Sequence, residues 1–209
     1  MENSSDQKGW RGRKRTDWLK PEQAFRVFRE ARKIDAEFEV FLITLCYTGI
    51  RLSEGLNLVV DRVELAESFA YVVETKNEDP CGVFLPPVVV QALKRHPRGL
   101  SRPGERVFRF TKCGRLYTQL NAVKKAAGID VSFLTFHIFC HTWATWMRRY
   151  GGLDKTGLIA TGRWRAEASV GRYTHVVVSE ESRKAVLLPV ENSWKRAEST
   201  KKLRETKAS

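Results

Sequence analysis

The sequence predicts an α+β domain, mostly helical, with one small antiparallel β-sheet. Two observations carry this. Apolar residues recur at steps of three and four through most of the chain, the period of helices with one buried face. Between residues 62 and 85 that period gives way to three short β-like runs separated by turn residues. A length of 209 residues suits one large domain with tails and is enough to bury a substantial core.

The elements follow in order. Residues 1–15 are polar and basic, with Arg11, Arg13, Lys14 and Arg15 clustered; they read as a flexible arm, suited to phosphates or simply solvated. The folded domain is expected over 16–188. Pro21-Glu22 opens its first helix, since proline suits a first turn, and Phe25, Val27, Phe28 and Ala31 mark the buried stripe. A second helix over 38–48 is apolar nearly all round, hence central, and Gly49 ends it as a C-terminal cap would. A short helix spans 52–56. Strand-like runs at 62–65, 69–74 and 82–85 follow, with turn chemistry at 75–81. Helices are then expected at about 88–95, 116–127, 136–149, 154–160, 166–172 and 179–187. Residues 189–209 form a charged C-terminal tail. There are no internal repeats.

The helix expected at 136–149 lies in the chain's densest aromatic stretch, Leu134 to Tyr150. Phe136, Phe139, Trp143, Met147 and Tyr150 give it a broad apolar side, so it reads as buried. His137 and His141, four apart, share a face, with Cys140 beside them. A core helix with hydrogen-bonded histidines would explain that pattern without any special function.

Lys+Arg 37 against Asp+Glu 24 leaves a net charge of +13, which favours a polyanionic partner, usually nucleic acid. The amino terminus has no apolar signal region, and the most apolar window, 38–47, is too short for a bilayer and contains Glu39 and Thr44. Cys46, Cys81, Cys113 and Cys140 lie far apart with no Cys-x-x-Cys pair, so neither a disulfide framework nor a zinc ribbon is indicated. The expectation is a soluble protein of the reducing cytoplasm that does not associate with membranes.

Several residues have chemistry that fits a phosphate site. Arg51 follows the cap glycine, placed to project from a core edge where its planar fork can grip a phosphate. Lys76 sits at a hairpin tip, a mobile donor on a rigid stem. Tyr173 lies near a helix end. His137, Cys140 and His141 also admit a metal reading, but no Glu follows His137 and no outside ligand is evident, so no metal is expected.

Taken together and in order, these pieces resemble the tyrosine recombinases, the phage-type integrases. The matching residues are Thr48-Gly-Ile-Arg-Leu-Ser-Glu54, Thr75-Lys76 on the hairpin, His137-Ile-Phe-Cys-His141, and Gly162-Arg-Trp164 followed nine residues later by Tyr173. The resemblance covers roughly 16–188 and implies the tyrosine recombinase catalytic domain fold. It also implies site-specific recombination or integration of double-stranded DNA, as in mobile genetic elements, through a 3′-phosphotyrosyl intermediate. Such covalent catalysis conserves the bond energy, so no cofactor is expected. Tyr173 is then the nucleophile, Arg51 a phosphate-gripping arginine, and Lys76 the donor to the leaving oxygen. His137 would transfer a proton on the nucleophile's side. Trp164 would donate its indole N–H to a phosphate oxygen, and His141 would give structural support.

The pattern departs from the family's at one position. His-x-x-Arg-His is expected, and Cys140 stands where the second arginine would be. Cysteine cannot replace a guanidinium fork, and losing one oxyanion donor costs on the order of 10²–10³ in rate. Arg148 and Arg149 lie two helical turns on, too far round to substitute. Impaired cleavage is therefore expected. The alternative is a degenerate integrase that binds DNA or a partner recombinase without cutting. Only about fifteen residues precede the domain, so an amino-terminal DNA-clamp domain is expected to be missing or supplied elsewhere. Self-association on DNA is expected through a carboxy-terminal segment, with 178–188 the candidate.

Overall fold

The computed structural model describes residues 17–73, 80–153, 155–163 and 180–191. The basic arm, the helix expected at 166–172 and most of the charged tail lie outside these residues.

Helix α1 (Pro21–Ile34) starts on its proline, and the Gln23 side chain accepts from the Lys20 N–H at 2.9 Å. Its buried residues, Ala24, Phe25, Val27, Phe28 and Ala31, form the expected stripe. Helix α2 (Ala36–Thr48) begins two residues before the apolar run because Asp35 caps it, accepting from the N–H groups of Glu37 and Phe38. It is buried nearly all round and packs against α1, the short α3 (Leu52–Leu56), α4 (Pro87–Lys94) and α6 (Phe136–Arg149). The Phe41 ring sits among Phe38, Phe108, Phe110 and Phe136, which ties the middle of the chain to the start of α6.

Strands β1 (Val63–Glu64), β2 (Phe69–Val73) and β3 (Pro80–Phe84) form an antiparallel sheet in that order. The third strand begins earlier than its composition suggests: Pro80 pairs with Val73 and Cys81 with Val72. Proline is compatible with a strand's first residue, so the turn chemistry there marks the strand's entry.

Helix α5 (Gly114–Ala127) packs on α1. Leu19, just before α1, is tied to α6 at both backbone groups: its N–H donates to Thr142 Oγ1 and its carbonyl accepts from Trp146 Nε1, each at 2.9 Å. Helix α7 (Lys155–Ala160) follows α6. The helix expected at 179–187 is divided into α8 (Glu180–Arg183) and a 3₁₀ turn, Lys184–Leu187. Leu188 is extended, as the residue before Pro189 should be. No helix among the described residues is long and apolar enough to cross a membrane. The result is a mostly helical domain with one small three-stranded antiparallel sheet.

Candidate active site

The site is built where α2 ends, α3 begins and α6 passes beside them. Gly49 closes α2 at φ 68°, its N–H donating to the Leu45 carbonyl at 3.1 Å. Its neighbour Ile50 is buried, and the Cys140 thiol of α6 donates to the Ile50 carbonyl at 3.5 Å. Arg51 then turns outward, its side chain about half exposed. The Arg51 N–H donates to Glu54 Oε2 at 2.6 Å, and Arg51 Nη1 meets Glu54 Oε1 at 3.2 Å. One carboxylate therefore fixes both the backbone and the head of Arg51.

Helix α6 brings His137, Cys140 and His141 to this edge, at spacings of three and four on one helical face. His137 is exposed and His141 half-buried, while Cys140 points into the junction. The two imidazoles lie edge to face with centroids 4.5 Å apart. Burial, and then the neighbouring His137, hold His141 below the ordinary histidine value, which favours its neutral form. Burial pushes the Cys140 thiol up; Arg163 and Arg51 pull against it, and Glu54 adds to the rise. Cys140 is thus a neutral thiol at neutral pH. Among the described residues no group of three His, Cys, Asp or Glu side chains comes together as a metal site. Arg149 is engaged at the far end of α6, its guanidinium stacked 5.1 Å over the Trp18 ring.

Arg163 lies between Gly162 and Trp164 and has no role in the motif itself. It follows a turn at the end of α7 in which Thr161 Oγ1 accepts from the Arg163 N–H and Gly162 takes φ 72°. That turn sends the Arg163 side chain inward until it is only 4% exposed, where its Nη2 pairs with Glu54 Oε2. Its Nη1 lies 3.7 Å from Cys81 Sγ on β3, and among the described residues its Nε meets no hydrogen-bond acceptor. Glu54, itself 3% exposed, is therefore held by two arginines from different parts of the chain. Removing the cation from a buried pair costs about 3–5 kcal/mol, so a group so placed is firmly fixed. Only in the fold does Glu54 face inward, and a buried carboxylate at an otherwise apolar junction needs a cation.

Of the residues singled out from the sequence, Arg51, His137, Cys140 and His141 fall in this one region. Lys76, Trp164 and Tyr173 lie outside the described residues. The ends of β2 and β3 flank the segment carrying Lys76, and Trp164 follows Arg163 directly in the chain.

A model of the phage integrase family matches residues 17–180, most of the chain. The chain belongs to the phage integrase family. The integrase of Salmonella phage P22 is 26% identical over 182 residues, covering 78% of this chain and 44% of its own. The fold is similar to that of the integrase from mycobacterium phage Brujita (TM-score 0.61, 16% identity, 86% of this chain and 60% of that one). It also resembles the XerA recombinase, with a TM-score of 0.55 and 22% identity over 88% of this chain and 64% of that one. The Tn1549 transposon integrase, solved in complex with circular intermediate DNA, gives a TM-score of 0.52 at 17% identity, over 91% and 68% of the two chains. The fold is that of the tyrosine recombinase catalytic domain. This integrase-family chain spans less than half the length of the curated relative it matches.

Proposed function

We propose that this chain carries the strand-cleaving and rejoining step of site-specific recombination on double-stranded DNA, with Tyr173 as nucleophile. The observation that supports the reading is that Cys140, on the helical face that carries His137 and His141, meets the Ile50 carbonyl one residue before Arg51, in a chain of this family with a net charge of +13. The Tn1549 relative was solved with DNA, which supports the same class of partner here.

In the proposed step the Tyr173 oxygen attacks the phosphorus and the bond to the 5′ oxygen breaks. The phenolic proton passes to a base on the nucleophile's side, for which His137 is the candidate, and Lys76 supplies a proton to the departing oxygen. Arg51 stabilises the charge that builds on the non-bridging oxygens, with the Trp164 N–H as a further donor. His141, held neutral beside His137, supports that ring. A 5′-hydroxyl reverses the step and rejoins the strand. No metal or cofactor enters this scheme.

Cys140 is a neutral thiol turned toward the Ile50 carbonyl, so it contributes no charge to the phosphate. Weak cleavage follows from that assignment. A chain that binds DNA or a partner recombinase without cutting is the second reading, favoured by this same residue. Self-association involves the carboxy-terminal segment. Ala185 and Leu188 are buried on the chain's own core, whereas Val186 and Leu187, 53% and 56% exposed, face outward.

The test is binding to duplex DNA across a salt series, followed by denaturation to detect covalent complexes with a randomised pool of nicked duplexes. Binding that weakens steeply with salt, together with an adduct lost in Tyr173→Phe, supports cleavage. Salt-sensitive binding with no adduct supports the second reading. No binding to DNA at any salt contradicts cleavage and leaves of the second reading only the binding of a partner recombinase.

A further inference from the structure

Glu54 raises a question that Arg51 alone does not answer. A buried carboxylate directly behind a phosphate-binding arginine cancels much of that arginine's charge, and its own field opposes an arriving anion. The matching family motif puts an arginine on α6 at position 140, one residue type that would balance such an acid. Here Cys140 fills that position, is short and neutral, and donates to the Ile50 carbonyl instead of to Glu54. The cation facing Glu54 comes from Arg163, in the turn after α7, and it acts electrostatically on Cys140 as well.

We propose that Arg163 is the positioning residue that replaces the missing α6 arginine. It neutralises Glu54 from the α7 side, so that Arg51 shares the acid with a second cation rather than holding it alone. By formal charge, Arg163 adds one positive charge beside the Arg51–Glu54 pair. Three features support this role over plain core packing. Both residues of the pair are nearly fully buried. Among the described residues the Arg163 Nε meets no acceptor, so Glu54 is the carboxylate that holds its fork. The turn that delivers it uses the left-handed conformation at Gly162, which aims the side chain inward toward α3. The proposal rests on reading the Arg51 region as a phosphate site.

The test is titration of the full chain with orthovanadate, a phosphate-like oxyanion whose binding needs neither DNA nor strand cleavage. Wild type is expected to bind, and Arg163→Met to bind at least about tenfold more weakly. Two second-site changes should restore affinity to within about threefold: Glu54→Gln, which removes the unbalanced acid, and Cys140→Arg, which returns a cation from α6. Should Arg163→Met not fold, Glu54→Gln/Arg163→Met leaves no buried charge unpaired and carries the test, with wild-type affinity expected. Undiminished binding by folded Arg163→Met overturns the proposal, as does weak binding by that double variant. Absence of binding by wild type itself overturns the phosphate-site reading. An Arg163→Met defect in orthovanadate binding alongside a wild type that forms no adduct on DNA would support the proposal while contradicting cleavage.

Discussion

The Trp143 indole of α6 lies so close to Gly49 that a Cβ there would sit 2.6 Å from its Cδ2 and Cε3. Two constraints therefore meet at one residue. The αL conformation that closes α2 disfavours a side chain, and the indole leaves no room for one. This contact fixes the start of the Arg51 turn against the helix that carries His137 and His141.

Gly49→Ala should destabilise the chain by at least about 2 kcal/mol, combining left-handed strain with overpacking. Urea unfolding checks this. A loss under about 0.5 kcal/mol would mean that the indole moves aside readily and that the Arg51 turn is not held by it.

At the other end of α2, Glu37 is fully buried and accepts from Arg98 Nε at 3.1 Å, Arg98 Nη2 at 3.2 Å and the Arg109 N–H at 2.7 Å. Arg98→Met strips this carboxylate of its fork and should cost about 3 kcal/mol. Glu37→Met/Arg98→Met should recover part of that loss, because the buried carboxylate, then left to Arg109 with its Nε at 3.4 Å, is gone. Equal destabilisation by single and double variants, measured by denaturant unfolding, would show that packing of the arginine stem dominates.

His141 makes stability depend on pH in a defined direction. Its folded value lies below the ordinary 6.5, so the unfolded chain takes up the proton first as pH falls. Its contribution is intact above about 6.5 and is lost as pH drops through the folded value. Buried His96, lowered by burial against the opposing pull of Glu37, acts in the same sense. Thermal unfolding between pH 8 and 5 should therefore show stability falling toward acid, with a smaller slope in His141→Gln. An unchanged slope in that variant would place the effect on other groups.

The four thiols should react unequally. Cys46 and Cys140 are buried and pushed up by burial, whereas Cys113 is exposed and lowered, chiefly by the Thr111 hydroxyl at 3.2 Å and then by the N–H groups of Leu116 and Arg115. Alkylation at neutral pH with peptide mapping should label Cys113 first, and Thr111→Val should shift its rate profile to higher pH. Faster labelling of Cys140 would contradict its placement against the Ile50 carbonyl.

Much of this arrangement was legible in the sequence, for identifiable reasons. A helix apolar on every side, ended by glycine, has to be central, and α2 is. The stripe of α1 and the aromatic density of α6 encode their buried faces in local spacing. Pro80 misled because proline reads as a turn before pairing partners are known, although a first strand position accepts it. The partnership of Glu54 with Arg163 could not be read from spacing. The two are 109 residues apart, and each alone reads as an ordinary solvated charge. Only the topology, which folds the α7 turn back beside α3, makes them a pair.

The measurement that bears most directly on the proposed function is the identity of the residue bonded to DNA. Nicked duplexes drawn from a randomised pool are incubated with the full chain, denatured and digested with nuclease and protease, and the nucleotide-bearing peptide is sequenced by mass spectrometry. The expected result is a 3′-phosphotyrosyl link at Tyr173, formed slowly in wild type and absent in Tyr173→Phe. A link to another residue, or an adduct that survives Tyr173→Phe, would contradict it.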